Sequence, residues 1–259
     1  MRYDPTKAEI WDKFWAQRMD LDVYPPVTDI ASEIAQVVSD VRGWRIIEIG
    51  AGTGRTSIEL ARRGADVTIL DISERSLELA KRFAQKADPA TRKRLHYVLA
   101  DGLDPPFKPE SFDILFHQGL LEHFRNPFLL LEANRRLLKK GGLIVVDVPQ
   151  TFHVYTILKH IQMLFGRWFA GWERQFTPAS LARLLRNVGF ESIHTYGDWA
   201  RPSMFYRALR IILKKAGIKL PMYPRFTVDS CWSRLAERLR RKRLFLWTVL
   251  SFGVIGRKV

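Results

Sequence analysis

Short apolar runs alternate with amphipathic stretches along most of this chain. Six of the runs have the length and composition of buried strands, and the stretches between them repeat apolar residues at helical spacing. The predicted strands are residues 46–49, 67–70, 95–100, 112–117, 143–148 and 192–199. Regular alternation of strand and helix is typical of an α/β domain with a mostly parallel sheet. The sequence therefore predicts that fold class.

The turn after the first predicted strand contains three glycines in five residues, Gly50, Gly52 and Gly54. Glycine lets the backbone turn sharply and lets a ligand approach closely. A predicted helix over Thr56–Arg63 follows, and the second strand ends at Asp71, where such units place a carboxylate on ribose hydroxyls. Arg55 stands where a dinucleotide-binding loop has its last glycine. The pattern therefore predicts a nucleoside-containing ligand other than NAD.

Three later stretches extend the pattern. Asp101-Gly102 follows the third predicted strand, Pro-Pro-Phe and Ser-Phe-Asp precede the fourth, and residues 132–142 read Glu-Ala-Asn-Arg-Arg-Leu-Leu-Lys-Lys-Gly-Gly. Together with Glu-x-Gly-x-Gly-x-Gly from Glu48, they resemble the motifs of class I S-adenosylmethionine-dependent methyltransferases. The resemblance covers about residues 44–198 and is greatest to the small-molecule and lipid group that includes the quinone-biosynthesis enzymes. Lys140 stands where proline is usual in the last motif.

This resemblance implies a Rossmann-like, seven-stranded, mostly parallel sheet with helices on both faces and helical insertions after strands five and six. Its last, antiparallel strand would be the apolar run 244–256, which at 13 residues is too short to span a bilayer. We expect a single domain over residues 1–259. Its expected parts are N-terminal helices or a lid (1–43), a cofactor-binding core (44–150), an acceptor cap (151–176), a helix and strand six (177–199), a basic helical insertion (200–243) and the last strand (244–259). A helical pattern over 10–19 fits a lid or a simple packing helix.

The implied cofactor is S-adenosylmethionine. In the family, the carboxylate at Glu48 helps seat the methionine end, Asp71 binds the ribose, and Asp101 accepts from the adenine amino group. The residues expected to bind the cofactor are Glu48, Gly50, Ala51, Gly52, Gly54, Asp71, Ile72, Asp101, Gly102 and Gln118.

Methyl transfer from a sulfonium needs a general base only where the acceptor must lose a proton. His123 and Glu122, just past the fourth strand, are the candidate catalytic residues. The alternatives are that His123 packs at the start of a helix and that Glu122 is a helix N-terminal carboxylate. No cysteine or histidine cluster has the spacing of a metal site, so no metal is expected. The single cysteine, Cys231, excludes an intrachain disulfide and favours a reducing compartment.

Basic residues are concentrated near the C-terminus. The chain carries a net charge of +15, and residues 199–259 hold 15 Lys and Arg against Asp229 and Glu237. Amphipathic helices are predicted at 154–172, 205–216 and 232–243. Their basic faces suit solvent, an anionic membrane surface or, less well, nucleic acid. With no signal peptide at the N-terminus, a cytoplasmic protein is expected, either free or peripheral on the inner face of a membrane.

The segment after strand five is rich in aromatic residues, which predicts a small, hydrophobic or lipid-like acceptor. An RNA methyltransferase is an alternative because of the basic C-terminal part. However, residues 118–121 read Gln-Gly-Leu-Leu and not the Asn-Pro-Pro-Tyr type of base-methylating enzymes. A non-catalytic cofactor-binding protein is a further alternative. No oligomeric state follows from the sequence.

Overall fold

A seven-stranded sheet forms the centre of the computed structural model, which describes residues 7–18, 28–199, 203–222, 239 and 245–259. Its strands are β1 (Arg45–Ile49), β2 (Asp66–Asp71), β3 (Leu95–Leu99), β4 (Phe112–Gln118), β5 (Leu138–Pro149), β6 (Phe190–Asp198) and β7 (Ser251–Lys258). Their order is β3-β2-β1-β4-β5-β7-β6. The first five strands pair in parallel, whereas β7 lies antiparallel between β5 and β6. The predicted fold class is confirmed.

Helices connect the strands. They are α1 (Ala8–Ala16), α2 (Ile30–Ile34), α3 (Arg55–Arg62), α4 (Glu74–Ala84), α5 (Pro89–Lys93), α6 (Pro127–Leu137), α7 (Val154–Leu164), α8 (Pro178–Asn187) and α9 (Met204–Lys215). Short 3-10 turns occupy Leu121–His123 and Phe245–Trp247. Helix α7 follows β5 and α9 follows β6, which are the two places where the sequence predicts helical insertions.

Two apolar layers cover the two faces of the sheet. Successive side chains of a strand point to opposite faces, and Ile46 and Ile47 of β1 accordingly belong to different clusters. The Ile46 side packs against α2, α3 and α4, and the Ile47 side packs against α6 and α8. The carboxyl ends of β1, β2 and β4 therefore emerge at one edge between these layers, where open α/β sheets bind ligands.

Both ends of helix α8 carry residues that favour helix termini. Thr177 caps α8 through a capping box with Ser180, and Pro178 occupies the first turn. Gly189, at φ +86°, follows the end of α8. The Thr177 hydroxyl satisfies a backbone donor that the helix leaves free, and glycine adopts the left-handed conformation without a steric cost.

Two predicted elements differ from the structure. The helix predicted over 154–172 ends at Leu164, because Gly166 adopts φ +63° and closes the last turn. The last strand begins at Ser251 and not at 244, because Phe245–Trp247 form a 3-10 turn. An apolar run alone does not distinguish a buried turn from a strand. The amphipathic segment predicted at 232–243 lies outside the described residues, apart from Leu239.

Candidate active site

The glycine loop between β1 and α3 depends on left-handed backbone. Gly50, Gly52 and Gly54 have φ values of +65°, +54° and +60°, which other residues adopt only with strain. Gly54 also allows close packing, since a Cβ atom there would lie 3.1 Å from the Cβ of Ala80. Gly54 thus shapes the loop without lining the cleft beside it.

A cleft of about 300 Å³ opens at the carboxyl edge of the sheet. Nine of the ten residues predicted to bind the cofactor line it, namely Glu48, Gly50, Ala51, Gly52, Asp71, Ile72, Asp101, Gly102 and Gln118. The sequence-based prediction missed other lining residues, which include Trp11, Trp15, Thr53, Arg55, Leu120 and Phe124. His123 also lines the cleft. The structure therefore brings residues from four strand ends to one site.

The Asp71 carboxylate holds the glycine loop in place. Its Oδ2 accepts from the backbone N–H of Gly52 at 3.0 Å and from the Ser76 hydroxyl at 2.7 Å, and its Oδ1 accepts from the N–H of Ser73 at 2.9 Å. Burial raises the pKa of Asp71 above its ordinary value, while these donors oppose the rise. In this conformation the carboxylate organises the loop at the position where the resemblance implies ribose binding.

Glu48 lies buried at the floor of the cleft. Its Oε2 accepts from the Ser57 hydroxyl of α3 at 2.5 Å. Burial raises the pKa of Glu48 to about 8 despite this hydrogen bond. The side chain is therefore mostly protonated at pH 7, and a cationic ligand group beside it would favour ionisation.

Asp101 and Gln118 both line the cleft. Asp101 is exposed at the end of β3, and its Oδ1 accepts from the Leu103 N–H at 2.9 Å. Gln118 ends β4, and its Nε2 donates to Asp147 Oδ1 at 3.4 Å. Burial raises the pKa of Asp147 to about 7.

Helix α1 covers the cleft. Trp11 and Trp15 both line it. Asp12 fastens the helix, because its Oδ1 accepts from the Ser73 hydroxyl at 2.6 Å. The helix predicted over 10–19 thus lies where a lid would lie.

An aromatic cluster joins this helix to the segment after α7. Phe14 stacks on Phe169 with ring centroids 4.2 Å apart, and Trp11 meets Phe169 edge-on at 5.7 Å. Trp11 also meets the His123 ring at 4.9 Å. Such aromatic pairs add to the stability that burial provides. The cleft is therefore closed on one side by rings from two distant parts of the chain.

His123 presents a neutral imidazole to the cleft. It ends the 3-10 turn after β4 and is 5% exposed. Burial lowers the pKa of His123 to about 4, so the ring is uncharged at pH 7. Its Nδ1 is buried and has no hydrogen-bond partner among the described residues. A neutral imidazole in a cleft can accept a proton from a bound hydroxyl.

Glu122, the other predicted catalytic residue, lies outside the cleft lining. Its carboxyl is buried on the side of Glu173 and Lys159. Burial and the nearby Glu173 carboxylate raise the pKa of Glu122 to about 8, although Lys159 opposes this. Glu122 Oε1 nevertheless approaches the cleft wall, since it would lie 3.6 Å from a Cβ atom at Gly119, which lines the cleft.

A buried ion pair lies behind these two residues. Lys159 of α7 bonds Glu173, and both side chains are 4% exposed. The Trp168 indole N–H donates to the other Glu173 oxygen at 2.8 Å. Nothing in the sequence predicts this pair, because its partners are separated by 14 positions that include the end of a helix. The pair fixes the segment that carries Phe169 beneath the cleft.

Neither a metal site nor a membrane-spanning helix is found in the described part of the chain. No group of three or more His, Cys, Asp or Glu side chains in residues 7–18, 28–199, 203–222, 239 and 245–259 is arranged to hold a metal ion. No helix within those same ranges is both long and apolar enough to cross a bilayer.

Two solved methyltransferase structures share the fold of this chain. A Haemonchus contortus phosphoethanolamine N-methyltransferase in complex with S-adenosylhomocysteine superposes with a TM-score of 0.65 at 18% identity, covering 97% of this chain and 59% of the other. Magnesium protoporphyrin IX methyltransferase from Synechocystis PCC 6803 gives 0.59 at 17% identity and covers 97% of both chains.

Sequence comparisons agree with the fold. Residues 47–146 match the family model described as a methyltransferase domain. A ubiquinone biosynthesis O-methyltransferase from Neisseria meningitidis is 25% identical over 196 residues, which cover 73% of this chain and 82% of that protein. One from Roseobacter denitrificans is 29% identical over 211 residues, covering 76% and 83%. With the glycine loop, the acidic strand end and the cleft in place, the chain carries a methyltransferase domain of the S-adenosylmethionine-dependent type.

Proposed function

We propose that this protein transfers a methyl group from S-adenosylmethionine to a hydroxyl of a small, hydrophobic, quinone-type acceptor. The observation that carries the proposal is the neutral His123 imidazole in the cleft that contains the glycine loop. The names of the curated relatives support oxygen as the methylated atom and a quinone precursor as the acceptor class.

The cleft residues suit the cofactor. Gly50 and Gly52 carry no side chains toward the cleft, and the positions that Cβ atoms would take there lie 2.8 Å from Leu120 and 2.7 Å from Trp15. A Cβ at Gly102 would lie only 2.7 Å from Ile49. We assign Glu48 to the amino end of the cofactor, Asp71 to its ribose and Asp101 to its adenine. Glu48 would ionise on meeting an ammonium group, because an adjacent cation favours the charged form of a carboxyl.

Bound S-adenosylmethionine supplies an activated methyl group on its sulfonium. His123 would accept the proton of the acceptor hydroxyl while the new carbon–oxygen bond forms and the carbon–sulfur bond breaks. The products are a methyl ether, neutral S-adenosylhomocysteine and the protonated imidazole, which returns its proton to solvent. Trp11 and Phe169 would exclude water and orient an aromatic acceptor through ring contacts.

The acceptor side is proposed to be the cap formed by residues 151–176. Phe169, and not Phe165, is its contact with the cleft, since Phe165 is 72% exposed and Phe169 packs on Phe14 and Trp11. Trp168 would act indirectly, through its hydrogen bond to Glu173. Such a cap fits a hydrophobic acceptor drawn from a membrane, and with it a peripheral location.

A direct test uses purified protein, methyl-labelled S-adenosylmethionine and three acceptor classes, namely alkyl-substituted catechols, primary amines and total RNA. We expect label in the catechol product and release of S-adenosylhomocysteine. Loss of a general base typically lowers the rate by 10²–10⁴-fold. His123→Asn should therefore reduce turnover by about that factor while the cofactor dissociation constant stays within about twofold.

Exposed His96 provides the matched control, because its imidazole bonds Asp66 far from the cleft and His96→Asn should keep wild-type turnover. Label that enters only RNA, where the basic C-terminal part would meet phosphates, would replace the proposal with RNA methylation. Label in the amine product alone would contradict oxygen as the acceptor atom.

A further inference from the structure

Exposed apolar side chains are concentrated in two segments. Within the described residues, thirteen of the eighteen exposed large hydrophobic side chains lie between residues 152 and 165 or between 205 and 218. Leu164 is 84% exposed and Phe205 is 80% exposed. Scattered apolar residues on a surface need no explanation, but a concentration of this kind marks an interaction site.

Helix α7 is oriented with its polar side inward. Its buried residues are Thr156 and Lys159, and Lys159 is held there by Glu173. Its outward residues are the large aliphatic ones, Val154, Ile157, Leu158, Ile161 and Leu164. A surface helix of a globular protein normally buries its apolar stripe and exposes its charges. The reversed orientation of α7 therefore presents an apolar face that the described fold does not use for its core.

Helix α9 adds a second apolar face with basic neighbours. Phe205, Ile211 and Ile212 are exposed on it. Burial raises the pKa of Tyr155 in α7, and the Arg207 charge of α9 is among those that oppose the rise, so the two helices lie within electrostatic reach of each other. The ring of Phe152, just before α7, lies 5.4 Å from that of Trp247. We call α7, α9 and Phe152 the apolar platform.

The charge around the platform has one sign. Residues 151–172 and 199–228 contain no Asp or Glu, and the second range contains seven Lys and Arg. Arg167, Lys214 and Lys219 are exposed. A surface that combines large aliphatic side chains with basic residues and lacks acids complements an anionic bilayer. RNA would match the charge but would leave Leu164 and Phe205 in water.

The platform adjoins the active-site cleft. The segment that follows α7 carries Phe169, which contacts Trp11 in the cleft wall. A ligand that leaves a bilayer at α7 would therefore have only the short segment between α7 and Phe169 to pass before it meets the cleft wall.

We propose that the apolar platform docks the protein on the surface of anionic lipid bilayers and so delivers a lipid-soluble acceptor to the cleft. This inference rests on the proposed function for the identity of the cargo, but docking itself can be measured without methyl transfer. The aliphatic side chains enter the region between headgroups and acyl chains, and the basic side chains meet the lipid phosphates.

The experiment is flotation of the full chain with vesicles of phosphatidylcholine alone or mixed with phosphatidylglycerol, at about 0.05 M and about 0.5 M salt. We expect binding to the anionic vesicles, weakened but not abolished at high salt. The double variant Leu164→Asp and Phe165→Asp should weaken binding about tenfold or more at both salt concentrations, because aspartate cannot enter the bilayer. The triple variant Arg167→Gln, Lys214→Gln and Lys219→Gln should lose mainly the salt-sensitive part of vesicle binding.

Leu129→Asp is the matched control, since Leu129 is also exposed (57%) but lies on α6, away from the platform. Each variant is checked for its melting temperature and for S-adenosylmethionine affinity, which should equal those of the wild type. Unchanged flotation of the Leu164/Phe165 variant, equal binding to neutral vesicles, or tighter binding to RNA than to anionic vesicles would overturn the proposal. Failure of the wild type to methylate any catechol, with vesicle binding intact, would instead count against the proposed function alone.

Discussion

The indole of Trp15 lies directly against the backbone of Gly52, so that a Cβ atom at residue 52 would fall 2.7 Å from Trp15 Cζ2. Helix α1 therefore rests on the glycine loop at the position assigned to the methionine part of the cofactor. The cleft of about 300 Å³ is at the small end of the usual range for ligand sites. A ligand placed against Gly52 would meet this indole, and α1 is held in place by the Asp12 hydrogen bond, by the aromatic cluster and by packing on α4.

Gly52→Val should weaken S-adenosylmethionine binding by at least about tenfold in calorimetry. The left-handed backbone at residue 52 costs a β-branched residue about 1–2 kcal/mol, and its side chain would occupy the space that the ligand needs. Gly141→Val is the control for strain alone, because Gly141 has φ +72° and nothing within 4 Å of a Cβ position. Equal loss of cofactor affinity in both variants would show that strain, and not the ligand's space, is responsible.

Lys159→Met should lower the free energy of unfolding by about 3–5 kcal/mol, since it leaves the Glu173 carboxylate buried without its cation. Replacing both partners, as Lys159→Met with Glu173→Leu, should recover much of the loss, because the buried charge is removed. Chemical denaturation measures both. Arg75→Met, which breaks the exposed pair with Glu78, is the control and should leave the midpoint unchanged. A double variant as unstable as the single one would contradict this account.

Glu122→Gln should change how stability depends on pH. The folded pKa of Glu122 is about 8, above the ordinary value of 4.5, so the folded protein holds a proton that the unfolded chain releases. The contribution of this proton to stability is complete below about pH 4.5 and is lost as pH rises to about 8. Relative to the wild type, the variant should therefore gain about 4–5 kcal/mol between these limits.

Thermal denaturation at pH 5 and pH 8 gives this difference. Glu132→Gln removes an exposed carboxyl of α6 and is the control. Its difference in stability from the wild type should be the same at both pH values. A Glu122→Gln protein that loses as much stability as the wild type on raising the pH would contradict a buried, protonated Glu122.

Phe169→Ala should raise the Michaelis constant for the acceptor several-fold and leave cofactor affinity within about twofold. The ring stacks on Phe14 and meets Trp11, so its removal opens the acceptor side of the cleft. Phe165→Ala, four residues earlier and 72% exposed, should leave both constants unchanged in detergent solution. The reverse result would assign the acceptor contact to Phe165.

Local patterns were sufficient to predict the sheet, the glycine loop and most of the cleft. Strand lengths, the turn at Gly50–Gly54 and the acidic end at Asp71 each depend on neighbouring residues, and parallel connections then bring the strand ends together. The remainder depends on contacts between distant residues. The pairing of Phe14 with Phe169 and of Lys159 with Glu173 leaves no periodic trace in the sequence. Glu122 and His123 are adjacent in one 3-10 turn, and their order in the sequence did not indicate that only His123 would line the cleft.

The position of β7 determines the order in which the strands of this protein can pair during folding. Residues 251–258 enter the sheet between β5 and β6, so β6 has no hydrogen-bonded neighbour in the sheet until they arrive. During synthesis, the strand edges of β5 and β6 that will pair with β7 therefore remain unpaired until residues 251–258 have left the ribosome. Unpaired strand edges are sites of aggregation, and pairing between distant segments is slow. The yield of folded protein should consequently depend on chaperone supply and on any substitution that delays the insertion of Phe252 and Val254 into their buried places.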